Sequence, residues 1–109
     1  MPWLVRGDDV LAAAEVAVTR KVRRRGLIGR DHVDGVLVIR PCRQVHTFGM
    51  QFPIDVAFCD RAGVVLHVSC PGPRRVSRPV WHSAFVIEAR AGSFERWKLR
   101  VGDTVEIKG

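Results

Sequence analysis

The chain predicts a mainly β (α+β) class: a small β-barrel-like single domain spanning 1–109, with about six or seven short strands and one or two short helices. Three observations predict it. Short runs rich in β-branched residues recur at 36–39, 54–59, 64–69 and 84–87. Glycine-bearing turns separate several of them, Asp60-Arg61-Ala62-Gly63 most plainly. No regular strand–helix alternation runs along the chain, which argues against a doubly wound parallel sheet.

Taken in order, Trp3-Leu4-Val5 is a short apolar run that ends in the turn-like Arg6-Gly7-Asp8-Asp9. Residues 10–18 read two ways. Ala12-Ala13-Ala14-Glu15 favours helix, whereas Val10, Val16 and Val18 favour strand, and the preceding turn decides for a hairpin strand. Thr19 has the side chain of a helix N-cap, 20–25 would form the helix, and Gly26 could end it. Residues 27–30 continue as a helical turn or tight loop, and 31–34 are loop. The buried strand 36–39 is stopped by Pro41, and 42–52 is a loop or irregular strand. Residues 54–59 and 64–69 form the clearest hairpin. Three prolines and three arginines make 71–79 an exposed irregular loop. A strand over 84–87 ends at Glu88. A short helix follows over 91–97 with Phe94 and Trp97 pointing inward. After the Gly102-Asp103 turn, 104–107 alternates like a half-buried final strand.

The net charge of +7 points to anionic ligands, acidic protein surfaces or nucleic acid as partners, nucleic acid being the less favoured. No apolar run reaches the ~18 residues of a membrane helix, so no membrane partner is expected. The start of the chain lacks the pattern of an export signal, and Cys42, Cys59 and Cys70 are an odd number; together these predict reduced thiols and a cytoplasmic protein.

Several stretches, in order, resemble a known family. They are Thr19 with Arg25-Gly26-Leu27-Ile28-Gly29-Arg30, then Pro53-Ile54-Asp55, then Ile87-Glu88-Ala89 with Gly92, then Gly102-Asp103. The pattern is similar to that of the bacterial and archaeal domain-of-unknown-function 192 family. The resemblance spans nearly the whole chain and implies a compact, mainly β domain with no assigned reaction. It also implies a departure. Where the family has a Phe-Trp-Met-Lys-Asn-Thr block, this chain carries Val45-His46-Thr47-Phe48-Gly49-Met50, with His46 at the tryptophan position and Phe48 at the lysine position.

Four residues are candidates for ligand binding: Arg30, His46, Thr47 and Asp55. Strand alternation puts Ile54, Val56 and Phe58 on one face and Asp55, Ala57 and Cys59 on the other. A carboxylate opening a strand that is apolar on both faces must be hydrogen-bonded or paired. Asp55 is thus either a fold-fixing group, taking backbone N–H donors or pairing with Arg30, or a site carboxylate. Arg30 can pair with Asp55 or Glu88, or hold an anion. Asp55, Arg30, Glu88, Gly102 and Asp103 form the expected structural set. On a helix, Arg20, Lys21, Arg23, Arg24 and Arg25 make a basic patch that leaves Val22 inward, with Arg74, Arg75 and Arg78 to join it and Trp81 the one aromatic for stacking.

Cys42-x-x-x-His46 and His67-x-x-Cys70 formally offer four metal ligands, but the spacing matches no paired motif, and no metal or cofactor is expected. No nucleophile-elbow pattern surrounds Ser69 or Ser83. The reading is a non-enzymatic binding or accessory module for an anionic ligand or protein segment, using a groove between the 46–50 loop and Arg30. The alternatives are a hydrolase-type enzyme with His46 and Asp55 as an acid–base pair, and a nucleic-acid binder acting through helix 20–25.

Overall fold

The computed structural model describes residues 1–109. Its strands are β1 (Trp3–Arg6), β2 (Asp9–Ala17), β3 (Val36–Ile39), β4 (Ile54–Cys59), β5 (Val65–Ser69), β6 (Phe85–Arg90) and β7 (Glu106–Lys108). Two short helices are α1 (Arg20–Arg25) and α2 (Ser93–Trp97). All seven strands lie in one mixed sheet in the order β5-β4-β6-β3-β2-β1-β7. The mainly β single domain read from the sequence is therefore present, but the sheet does not close into a barrel. Its two edges meet at one isolated bridge, Val64 with Thr104, where the Val65, Gly102 and Val105 amides donate to the Asp103, Val65 and Gly63 carbonyls at 2.8, 2.8 and 2.9 Å. With β7 only three residues long, no ladder develops there.

Residues 10–17, ambiguous between helix and strand, are strand: they pair with β1 as a hairpin, and packing overrides the alanine-rich helix propensity. β2 and β3 run parallel, joined through α1, whereas every other paired set is antiparallel. This one β-α-β crossover carries α1 and residues 26–35 onto one face of the sheet. Thr19 accepts the Val22 amide at 3.3 Å, and Gly26 closes the helix with its amide on the Val22 carbonyl at 2.9 Å. The β4–β5 turn is held by Asp60, whose Oδ1 accepts the Ala62 and Val64 amides, both at 2.9 Å.

The alternation of β4 separates two cores. Ala57 and Cys59 face a larger one, closed by Phe94 of α2 and by Leu99. Ile54, Val56 and Phe58 face a smaller one, closed by Leu27 after α1 and by Val45.

Four boundary or orientation expectations are corrected. β6 runs on to Arg90, so Glu88 lies inside the strand. α2 begins at Ser93, because Gly92 at φ 96° turns the chain just before it. The last strand starts at Glu106, two residues beyond the expected start, since Thr104 makes only the isolated edge bridge. Val22 is 37% exposed and the inward residue of α1 is Arg23, whose Nε is buried. No helix is long and apolar enough to cross a membrane.

Candidate functional site

Glu88 stands at the centre of the smaller core. In β6 it is in phase with Val86, and across the sheet it pairs with Leu37 of β3 and Val56 of β4, both fully buried. Apolar side chains occupy the neighbouring positions, yet here a carboxyl is 4% exposed and its Oε1 has no hydrogen-bond partner. Burial pushes it up to about 7, against the opposing pull of the Leu27 backbone amide and the Arg30 charge. A buried carboxyl with one bare oxygen is costly to keep, which makes its position the first sign of a site.

That carboxyl opens into a cavity of about 560 Å³, the size of a small-molecule pocket. α1 supplies Arg20, Arg23, Arg24 and Arg25 to its lining, and the 41–50 segment supplies Cys42, His46 and Met50. Leu27, Ile28, Ile39 and Val45 give it apolar walls. Arg23 reaches the Pro41 carbonyl only at 3.4 Å and leaves Nε without a partner. Gly26 belongs to the lining for a steric reason: at φ +52° a Cβ there would stand 3.0 Å from Glu88 Oε1. The Cys42 thiol donates to the Gln44 carbonyl at 3.2 Å, and burial raises it, so it is not poised as a thiolate.

The residues expected to share a site are dispersed. His46 is exposed at the cavity mouth, its ring tilted against Phe48 at 5.9 Å. Thr47 is buried and structural in its contacts: its hydroxyl donates to the Gly72 carbonyl at 2.7 Å and accepts the Arg75 amide at 2.8 Å. These bonds, with the His46–Val76 bridge, tie the proline-rich 71–79 loop to the segment that lines the cavity. Asp55 lies on the opposite face of the sheet, where its Oδ2 accepts the Gly92 and Phe94 amides at 3.0 Å each and so caps α2.

Arg30 pairs with neither Asp55 nor Glu88. It makes a two-pronged bond to Glu15 at 2.8 and 3.1 Å on the surface, because the turn after Leu27 carries it over β2. That mutual hydrogen bond, ahead of their Coulomb attraction, lowers Glu15 and raises Arg30. Asp103 meets Arg6 at 3.2 Å and accepts the Arg100 amide at 3.0 Å, while Gly102, at φ +97°, donates to the Val65 carbonyl at 2.8 Å. Arg20, Lys21, Arg24 and Arg25 are exposed and line a shallow basic groove beside the cavity. Cys42 and His46 share the cavity beside Glu88, but no three histidine, cysteine or carboxylate side chains converge on a point that could hold a metal ion.

Over residues 4–107 the chain matches the family model DUF192, Uncharacterized ACR. The chain belongs to the DUF192 family. No curated protein matches it. Among solved structures it is similar to a protein of unknown function from Novosphingobium aromaticivorans, with a TM-score of 0.83 and 20% identity over 96% of this chain and 83% of that one. It is also similar to a Sinorhizobium meliloti protein provisionally assigned as a transcription regulator, with a TM-score of 0.78 and 23% identity over 97% of this chain and 91% of that one. At such identities the likeness concerns the DUF192 fold alone.

Within this DUF192 domain, His46 and Phe48 both border a second hollow of about 290 Å³, which shares Gln44, Val45 and His46 with the cavity lining. The sequence reading missed Glu88 and Arg23 as cavity groups. For Glu88 a signal existed: one acid between the apolar run Phe85-Val86-Ile87 and Ala89, in step with Val86. For Arg23 none did, since the rotation of a six-residue, nearly all-basic helix cannot be read from its own sequence.

Proposed function

We propose that this DUF192 domain is a non-enzymatic binding module for a small anionic ligand, held in the cavity between α1 and the 41–50 segment. The observation that carries the reading is the imbalance of charge around that space: four arginines of one short helix line it, and Glu88 is the only carboxylate among its lining residues. Arg23 strengthens it, because its half-buried guanidinium lines the cavity without a carboxylate partner and so suits a phosphate or carboxylate oxygen. In this reading Arg23 and Arg24 hold the anion and Arg30 does not, because Arg30 is engaged by Glu15. The hydrolase alternative weakens, since His46 and Asp55 lie on opposite faces of the sheet and the Cys42 thiol is raised.

The test is titration with ribose 5-phosphate at low salt, followed by amide chemical shifts. Saturable binding that perturbs residues 23–28 and 42–46 is expected, with a loss of about 10-fold or more in Arg23→Ala/Arg24→Ala. Absence of saturable binding, or binding indifferent to the double variant, would sink the reading.

A second reading, nucleic-acid binding through α1, draws on the exposed groove of Arg20, Lys21, Arg24 and Arg25. It predicts duplex or single-strand binding that falls steeply with salt and survives ribose 5-phosphate in excess. Competition by that small anion would assign the arginines to the cavity instead.

A further inference from the structure

A site for anions alone has no use for a carboxyl at its floor. Glu88 would repel the ligand that the arginines attract, and β6 could hold leucine or methionine there between Leu37 and Val56. Three features keep that carboxyl available. Its Oε1 has no partner in the protein. Gly26 withholds the side chain that would crowd the oxygen. Cys42, the one thiol in the lining, already donates to Gln44. An acceptor held bare at the inner end of a basic cavity calls for a hydrogen-bond donor from outside the protein.

We infer that the ligand is bipolar: its anionic group is held by Arg23 and Arg24 of α1, and an N–H donor at its other end meets Glu88 Oε1. The inference rests on the anion-binding reading and names the second half of the ligand. Two kinds of molecule share this chemistry, an amino-bearing nucleotide and an aminoalkyl phosphate. Apolar walls from Leu27, Ile28, Ile39 and Val45 suit the uncharged middle of either.

Four probes separate the possibilities: AMP against ribose 5-phosphate, and phosphoethanolamine against ethyl phosphate. Within each pair only the first carries an N–H donor. Wild-type protein is expected to prefer the first member of at least one pair by about 10-fold or more, the usual scale of a hydrogen bond to a charged acceptor. The pair that discriminates identifies the source of the donor. In Glu88→Leu the preference should vanish, while the donor-free member, relieved of repulsion by the carboxylate, should bind at least as tightly as it does to wild type. Glu88→Gln, which keeps an acceptor oxygen without the charge, serves as the second variant and should retain part of the preference.

Equal binding within both pairs would overturn the inference and leave the anion reading standing. A preference that persists undiminished in Glu88→Leu and Glu88→Gln would overturn it too, placing the donor elsewhere. Failure of all four probes to bind would bring down both.

Discussion

Asp55 and Glu88 are the two carboxylates buried in the sheet, one on each face and on adjacent strands. Asp55 is 7% exposed and Glu88 is 4% exposed, so burial alone does not distinguish them. Their partners do. Asp55 accepts two backbone amides at the start of α2, where the turn at Gly92 offers donors and no capping side chain of its own. Glu88 faces a helix whose nearest side chains are guanidiniums, yet none bonds its Oε1. One face of the sheet is thus closed by a helix docked on an acid, and the other is left with a cavity over one. The difference separates a carboxylate that builds the fold from one that the fold carries at a cost.

The sharpest way to test that distinction is the pH dependence of stability. Glu88 is raised from its ordinary value of 4.5 to about 7 in the folded chain. Between those values the unfolded chain has released the proton and the folded chain retains it, so stability falls as pH rises. Below about 4.5 the group costs nothing by this route, and above about 7 the loss is complete. At about 1.4 kcal/mol per pH unit the interval corresponds to roughly 3 kcal/mol. Urea unfolding of Glu88→Gln against wild type should show near-equal stability at the acid end and a variant more stable by about that amount at the alkaline end. Parallel curves across the whole range would mean that Glu88 is satisfied after all.

Asp55→Ala should move the other way, losing about 2 kcal/mol as two amides lose a charged acceptor. Asp55→Asn keeps one acceptor oxygen and should lose about half of that. Hydrogen exchange at Gly92 and Phe94 should quicken in Asp55→Ala more than exchange along β4; uniform acceleration would show that Asp55 supports the sheet and not the helix cap.

The contrast between these acids was half legible in the sequence. Asp55 opens a strand apolar on both faces, and the rule that such a carboxylate must be bonded pointed to backbone donors or Arg30. Its donors come from residues 37 and 39 positions further along, a separation no local pattern encodes. Glu88 was placed at a strand end, with Arg30 as its candidate partner, because the run of β-branched residues stops at Ile87. The strand continues because Ala89 and Arg90 pair with Asp55 and Ile54 of β4, and pairing in the middle of a sheet outweighs composition. The hairpin over 54–69 was readable since both its strands and its turn are contiguous. The parallel β2–β3 pair was not, because it depends on a crossover whose only helical piece is six charged-rich residues.

Arg30 supplies the smallest test, and it joins the two halves of the comparison. Its pair with Glu15 has good geometry, but the side chains are 36% and 54% exposed, so Arg30→Ala should lose at most about 1 kcal/mol after solvent screening, and less in ~1 M salt. Glu15 is lowered by the same bond, so its share is present above its ordinary value of 4.5 and disappears as pH falls through the folded value beneath it. Arg30 also lowers Glu88 by its charge, without touching it. In Arg30→Ala, therefore, the stability difference that Glu88→Gln reveals should complete its rise at a higher pH than in the wild-type background, even though Arg30→Ala itself barely changes stability at neutral pH. Measuring both single variants and the double variant across pH separates the two roles. A shift in that endpoint would establish that the cavity carboxyl senses the positive charge around it, while an unmoved endpoint would confine Arg30 to its surface pair and leave burial as the one force holding Glu88 near neutrality.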